Sequence, residues 1–348
     1  MWGDEMKSFS SLIPQNTAIK DARRIAIYNE QGNRVGQIPL GTLTPPNPAK
    51  KLYSFGALSD VHYQYETAAE DFRQALTYLN DREDVAFTCI CGDLTSGGTA
   101  AELAEYSDAV AEYSPNTPVY AMCGNHDVRS GLMDSMQQYT GKPNYFSIDH
   151  GDDVFIFVGN VADWTTAVIS NAELQWLYET LEANRNKRCF LFEHIRPTNG
   201  CGNALGLYVR EGITDWGGTT GAVFESLLSH YHNVIFFHGH SHLKLELQAK
   251  DRQANYDNIR GCHSVHIPSL AAPREDVTGD GVAEQVYSAS EGYVVDVYKD
   301  GVHLRGRDFA YNDYEGRWLP IASYWLDTTL QTIPAGTYTD PNGIITTT

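Results

Sequence analysis

The chain has 348 residues, 42% apolar and 20% charged, which suffices for a sizeable buried core and excludes a wholly disordered protein. Its 25 Lys and Arg against 44 Asp and Glu leave a formal charge of −19, so its field repels long nucleic acids unless bound cations make one pocket locally positive. No apolar run approaches the roughly 18 residues of a membrane-spanning helix, so no membrane partner is expected.

The start, Met1-Trp2-Gly3-Asp4-Glu5-Met6-Lys7, lacks the basic-then-apolar layout of a signal peptide. A cytoplasmic protein is expected; the alternative is a virion-associated chain, or one secreted after removal of a leader. Ile25-Ala26-Ile27-Tyr28 and Val35-Gly36-Gln37-Ile38 flank a Gly-containing loop and predict a hairpin. The stiff Thr44-Pro45-Pro46-Asn47-Pro48 then separates an N-terminal extension, 1–50, from a domain over 51–315. Oligomerisation through that extension is one expectation.

From residue 52 strands and helices alternate. Strands are predicted at 53–58, 85–91, 119–123, 155–159, 188–192 and 234–237, and helices at 67–80, 100–113, 172–183 and 221–230. Thr67 and Glu70 have the spacing of a capping box. Such alternation implies βαβ units and a largely parallel sheet. The segments 293–298 and 302–305, joined by Lys299-Asp300-Gly301, predict a β-hairpin. A C-terminal extension, 316–348, ends in a Thr-rich stretch from 337 that is expected to be exposed or partner-dependent. Cys89, Cys91, Cys123 and Cys189 lie in apolar strand-like stretches. With Cys201 and Cys262 in addition, buried free thiols in a reducing compartment are expected.

Five short motifs follow predicted strands: Asp60-Val61-His62, Gly92-Asp93, Gly124-Asn125-His126-Asp127, His194, and Gly239-His240-Ser241-His242. Strand ends are where α/β sheets gather side chains from several loops. Each motif alone is weak, but carboxylates and imidazoles converging there suit divalent transition metals. If Asp60-x-His62 and His240-x-His242 leave their strands extended, alternate residues point the same way. Gly92, Gly124 and Gly239 allow sharp turns beside the cluster.

This set resembles the calcineurin-like metallophosphoesterase family, whose five blocks are all present over roughly residues 52–310. The resemblance implies a four-layer α/β/β/α sandwich of two mixed sheets with flanking helices, here with the N-terminal hairpin added. It also implies two divalent metal ions, Mn, Fe or Zn. By resemblance Asp60, His62 and His242 hold one ion, Asn125, His194 and His240 hold the other, and Asp93 bridges them. His126 is then the catalytic histidine, oriented by Asp127. The implied reaction is metal-dependent hydrolysis of phosphate esters, phosphodiesters favoured, by a hydroxide bridging the two ions. Alternatives are a phosphomonoesterase or phosphoprotein phosphatase, or a phosphoesterase domain carried in a structural assembly such as a phage tail. The expected partner is a small-molecule or surface-polymer phosphoester.

Other residues are weighed beside these. His238 is expected to pack beneath the site or orient a ligand. Arg129, Arg196 and Arg274 can fork onto a phosphate or serve as ordinary paired arginines. Tyr63 and Tyr65 can stack on a base or pack in the core. The segment 276–281 begins like a calcium loop, but its twelfth position is Tyr287 in place of Glu, so a plain turn is expected.

Overall fold

A computed structural model of the chain describes residues 24–28, 34–39, 48–131, 136–159, 169–195, 201–202, 208–209, 218–249, 255–259, 262–279, 282–310, 317–328 and 333–347. The Pro-rich spacer before Pro48, Arg196, and Asp280-Gly281 lie outside these residues.

In chain order the first elements are β1 (Arg24–Tyr28), β2 (Arg34–Pro39), β3 (Tyr53–Leu58), α1 (Ala68–Asp81), β4 (Thr88–Cys91), α2 (Ala100–Tyr113) and β5 (Val119–Met122). Next come α3 (Met136–Thr140), β6 (Tyr145–His150), β7 (Asp153–Val158), α4 (Asn171–Ala183), β8 (Cys189–Glu193), β9 (Tyr208–Val209), α5 (Gly218–His230) and β10 (Val234–His238). After a short 3-10 turn at Leu245–Ala249 come β11 (Tyr256–Ile259), β12 (Cys262–His266), β13 (Arg274–Glu275), β14 (Val282–Gln285), β15 (Glu291–Val297), β16 (Gly301–Asp308) and β17 (Arg317–Asp327). The expected hairpins form: β1 pairs antiparallel with β2, and β15 with β16. Among the described residues no helix is long and apolar enough to cross a membrane.

Two six-stranded mixed sheets make the inner layers, in the orders β17-β16-β15-β3-β4-β5 and β11-β12-β10-β8-β7-β6. In the first sheet β3-β4-β5 form a parallel half ending at an edge and β15, β16 and β17 continue it antiparallel; in the second β7-β8-β10-β12 are parallel and β6 and β11 pair antiparallel at the two edges. A strand covered on both faces must be apolar at every position, with alternate residues serving different interfaces. In β8, Phe190 and Phe192 face the other sheet, while Cys189 and Leu191 face the helices. In β10, Ile235 and Phe237 face inward, and Val234 and Phe236 outward. Phe55, Phe155, Phe190, Phe192 and Phe237 fill the space between the sheets. A second core joins α1 and α2 to the β3 side through Phe72, Leu76, Leu79, Leu103 and Tyr106. A third joins α4 and α5 to the β8 side through Leu174, Leu177, Phe224 and Leu227. Three cores between four layers give the α/β/β/α sandwich that the family resemblance implies, where the strand–helix alternation by itself implied one largely parallel sheet.

Local details differ from the sequence reading. Thr67 is the N-cap of α1, but its backbone is near-helical (φ −109°, ψ −5°) and its side chain makes no capping bond. A capping hydroxyl needs extended backbone to reach the first turn, and Glu70 turns to Arg73 and Gln74 instead. Complete capping boxes stand at Thr99/Glu102 and Ser170/Glu173, both on extended N-caps. The C-terminal stretch is docked as well as partly exposed. Ile333, Tyr338 and Ile345 bury in the core beneath α4 and α5. The Gly336 N–H donates to Glu182 at 2.8 Å, and Thr346 N–H to Gln175 at 2.8 Å. All six cysteines are buried and free.

Candidate metal centre

Asp60, Asp93, Asn125, His194 and His240 follow the carboxyl ends of β3, β4, β5, β8 and β10, so two sheets deliver their strand ends to one place. The backbone there is not extended. Asp60, His62, Asp93, His240 and His242 all have positive φ, between 47° and 72°. Non-glycine residues adopt this left-handed region rarely and at a cost, and such residues gather at functional sites. The convergence of Asp60 with His62, and of His240 with His242, therefore comes from tight left-handed turns. The expected extended spacing does not produce it. Of the three motif glycines, Gly92 has positive φ (77°). Gly239 is instead required by contact, since a Cβ there would collide with Ser59 Oγ and Asp60 Oδ2.

The donor atoms form two groups. Asp60, His62 and His242 bring one ligand atom each to within 4.8 Å of one another, and so do Asp93, His194 and His240. The His242 Nε2 lies 3.0 Å from Asp60 Oδ1, and His194 Nε2 lies 3.0 Å from Asp93 Oδ2. His62 Nε2 is 3.0 Å from His242 Nε2 and 3.6 Å from Asp93 Oδ2, which links the groups. His126 also reaches within 4.8 Å of His62 and Asp93, its ring perpendicular to that of His62 at 4.8 Å. Asn125 is buried between Gly124 and His126, whose N–H donates to Asp93 Oδ1 at 2.8 Å.

Neighbours aim these atoms. Ser59 Oγ and the His240 N–H both donate to Asp60 Oδ2, leaving Oδ1 buried without a hydrogen bond and facing the centre. His194 Nδ1 donates to Cys91 O at 2.7 Å and His242 Nδ1 to Ala272 O at 3.1 Å. A carbonyl only accepts, so in both rings Nδ1 carries a proton and Nε2 is the atom turned inward, where an ion would take its lone pair. His62 Nδ1 makes no hydrogen bond; its ring is stacked on Tyr65 at 4.7 Å and 11°. His240 Nε2 is buried and also makes no hydrogen bond.

This donor set fits divalent cations. Burial works against a charge on His194, yet the adjacent Asp93 and Asp60 carboxylates push it up to about 10. Two buried carboxylates thus demand positive charge between them. Burial depresses His240 and His242, the latter to about 4, so both stay neutral and available as ligands near pH 7.

Asp127 has a different place from the one expected. Its carboxylate accepts from Leu94 N–H, Thr95 N–H, Thr95 Oγ and Gly124 N–H at 2.8–3.1 Å, clasping the β4 and β5 loops. The ring of His126 is held by Ser96, whose carbonyl accepts from Nδ1 at 2.7 Å. Asp127 thus binds four loop donors, and a main-chain carbonyl holds the His126 ring. His238 is buried at the end of β10, its ring stacked on Phe236 at 5.2 Å and its Nε2 3.3 Å from Cys201 Sγ. Tyr63 packs on Phe72 in the core. Arg274 sits beside the centre, its N–H donating to His242 O at 2.7 Å. At the calcium-like turn Asp276 accepts from Gly279 N–H, an ordinary turn bond. Ser59 and the Ser96 carbonyl went unread in the sequence; a serine preceding the first aspartate was the only signal.

The sequence profile described as calcineurin-like phosphoesterase matches residues 53–244, more than half of the chain. No curated protein matches the chain in sequence. Among solved structures, purple acid phosphatase PPD1 from yellow lupin (Lupinus luteus) is similar at 14% identity and TM-score 0.51, over 87% of this chain and 59% of that one. The chain therefore spans about three fifths of the lupin protein's length. Vps29 from Chaetomium thermophilum aligns at 13% identity and TM-score 0.38, over 80% of this chain and 100% of that one. GAP50 of Plasmodium aligns at 12% identity and TM-score 0.47, over 79% and 88%. Likeness to the lupin protein at this identity speaks to fold alone. The profile match covers β3 through β10 and every residue of the two donor groups, and the chain belongs to the calcineurin-like phosphoesterase family.

Proposed function

We propose that this centre hydrolyses phosphate esters, phosphodiesters in preference to monoesters. The observation that carries the reading is the pair of donor groups, Asp60-His62-His242 and Asp93-His194-His240, side by side at the sheet ends. Asp60, His62 and His242 would hold one divalent ion and His194 and His240 the other, with Asn125 adding an amide oxygen and Asp93 shared between them. When bound, two such ions supply an activated water and neutralise charge on the phosphoryl oxygens. Mn, Fe or Zn suits mixed imidazole and carboxylate donors.

The chain's own residues do the rest. Ser59 and the His240 N–H fix Asp60, and the His126 N–H fixes Asp93. His126, with Nδ1 donating to the Ser96 carbonyl, would use Nε2 to pass a proton to the leaving oxygen. Asp127 keeps the loops of Asp93 and His126 in register.

The diester preference rests on charge. A diester carries one negative charge and a monoester close to two near pH 7, and the chain carries −19. Screening beyond about 8 Å keeps this bias modest. The test compares kcat/KM for bis(p-nitrophenyl) phosphate and p-nitrophenyl phosphate with Mn²⁺ across pH 6–9. Equal or better diester turnover supports the reading. A monoester preference of about tenfold, 1.4 kcal/mol in transition-state binding, assigns a phosphomonoesterase instead.

A further inference from the structure

The wall beside the metal centre has an aromatic corner that the hydrolytic machinery leaves unused. Among the described residues three large apolar side chains are well exposed, and two of them, Val277 (62%) and Tyr287 (42%), belong to the hairpin of β13 and β14 and its flanks. That hairpin is zipped to the centre. The Arg274 N–H donates to His242 O at 2.7 Å and Lys244 N–H donates to Arg274 O at 3.0 Å, while Val286 N–H donates to Pro273 O at 2.7 Å and closes the hairpin's own base. Its position is thus fixed by the loop that carries His240 and His242.

Tyr65 joins this wall to the centre. One face of its ring lies on His62 at 4.7 Å, nearly parallel. Tyr287 meets it edge-on, 6.5 Å away at 81°. The Tyr287 hydroxyl donates to Gln285 Oε1 at 2.7 Å, which pins that ring from the protein side. Two rings at right angles, one half-buried and one exposed, offer a flat guest both a face and an edge. Aromatic rings favour those two arrangements. Arg274 is near enough for its charge to act on both Tyr65 and His242, so cationic and aromatic groups adjoin.

We propose that Tyr65 and Tyr287 form a subsite for a planar aromatic group on the ester, so that the substrate is an aryl or nucleoside phosphoester and not a simple alkyl one. This rests on the phosphoesterase reading above and adds the class of group that flanks the phosphorus.

The test measures binding first. Metal-loaded protein is titrated calorimetrically with phenyl phosphate, methyl phosphate and adenosine 5′-monophosphate, which share one phosphate head. We expect the aromatic ligands to bind about five- to tenfold tighter than methyl phosphate, the scale of one stacking contact. That advantage should vanish in Tyr287→Ala and persist in Tyr287→Phe. Tighter binding of the nucleotide assigns a base to the corner; tighter binding of phenyl phosphate assigns a plain aryl group. Equal affinities in the wild type, or an advantage that survives Tyr287→Ala, overturns the proposal. A turnover arm compares bis(p-nitrophenyl) phosphate with ethyl p-nitrophenyl phosphate, which release the same nitrophenolate. The ratio of their kcat/KM values should fall about tenfold in Tyr287→Ala. Failure to turn over either diester would remove the hydrolase reading, while the binding comparison still decides the subsite.

Discussion

The centre is built from residues held in a backbone conformation that their side chains disfavour. Five of them, Asp60, His62, Asp93, His240 and His242, sit at positive φ. The motifs were legible as chemistry because Asp, His and Gly recurred at predicted strand ends. Their conformation was not, since Asp-x-His reads alike in an extended or a left-handed turn. Nor was the partner of His126 legible, because a main-chain carbonyl such as that of Ser96 has no sequence signature. Two outcomes test the roles. Asp93→Ala should lower metal content and turnover together. His126→Ala should keep the metal and cut the rate by roughly 10²–10⁴-fold for an alkoxide leaving group, and less for nitrophenolate, which needs no proton. Elemental analysis beside initial rates checks both, and loss of metal in His126→Ala would make it a ligand. Ser59→Ala removes one of the two donors on Asp60 Oδ2. It should weaken metal affinity about 10- to 100-fold, the scale for groups that orient ligands, as measured by competition with a chelating dye.

At the scale of elements, the strands and helices were legible where periodicity was strong, and their junctions were not. Thr67/Glu70 and Thr99/Glu102 share one spacing, yet only Thr99 begins its helix from extended backbone. The ion network that ties the end of α1 to β15 and β16 was equally invisible, being assembled from residues over 200 positions apart. Glu83 accepts from Arg305 at 2.7 Å and from Arg307 at 2.9 Å, and Arg305 also donates to Asp296 at 2.7 Å. Burial raises the Glu83 carboxyl, but the two arginines outweigh it and hold it at about 2 against an ordinary 4.5. A carboxyl lowered on folding adds stability above its unfolded value and loses it as pH falls toward the folded one. The contribution is at most about 3 kcal/mol at neutral pH and falls by more than half by about pH 3. Urea melts should show Glu83→Gln well below wild type at pH 7, with the gap closing on acidification. A gap independent of pH would contradict this account.

At the scale of the molecule, the alternation of strand and helix made a largely parallel sheet legible, and the second sheet was supplied by the family resemblance alone. The docking of the C-terminal stretch was not. Its Thr-rich composition suggested exposure, while Ile333, Tyr338 and Ile345 are spaced too widely to form a periodic signal and bury only because α4 and α5 are already packed. Tyr338, 3% exposed among Tyr178, Tyr231 and His230, should cost about 3 kcal/mol as Tyr338→Ala. A thermal melt checks this, and a midpoint equal to wild type would show the contact to be idle.

The two side-by-side donor groups are the heart of the account, and their stoichiometry is directly measurable. Metal-stripped protein is titrated with Mn²⁺ while hydrolysis of bis(p-nitrophenyl) phosphate is followed. The rate should climb with metal and level off at two equivalents per chain. A plateau at one equivalent, or no hydrolysis at any loading, would contradict it.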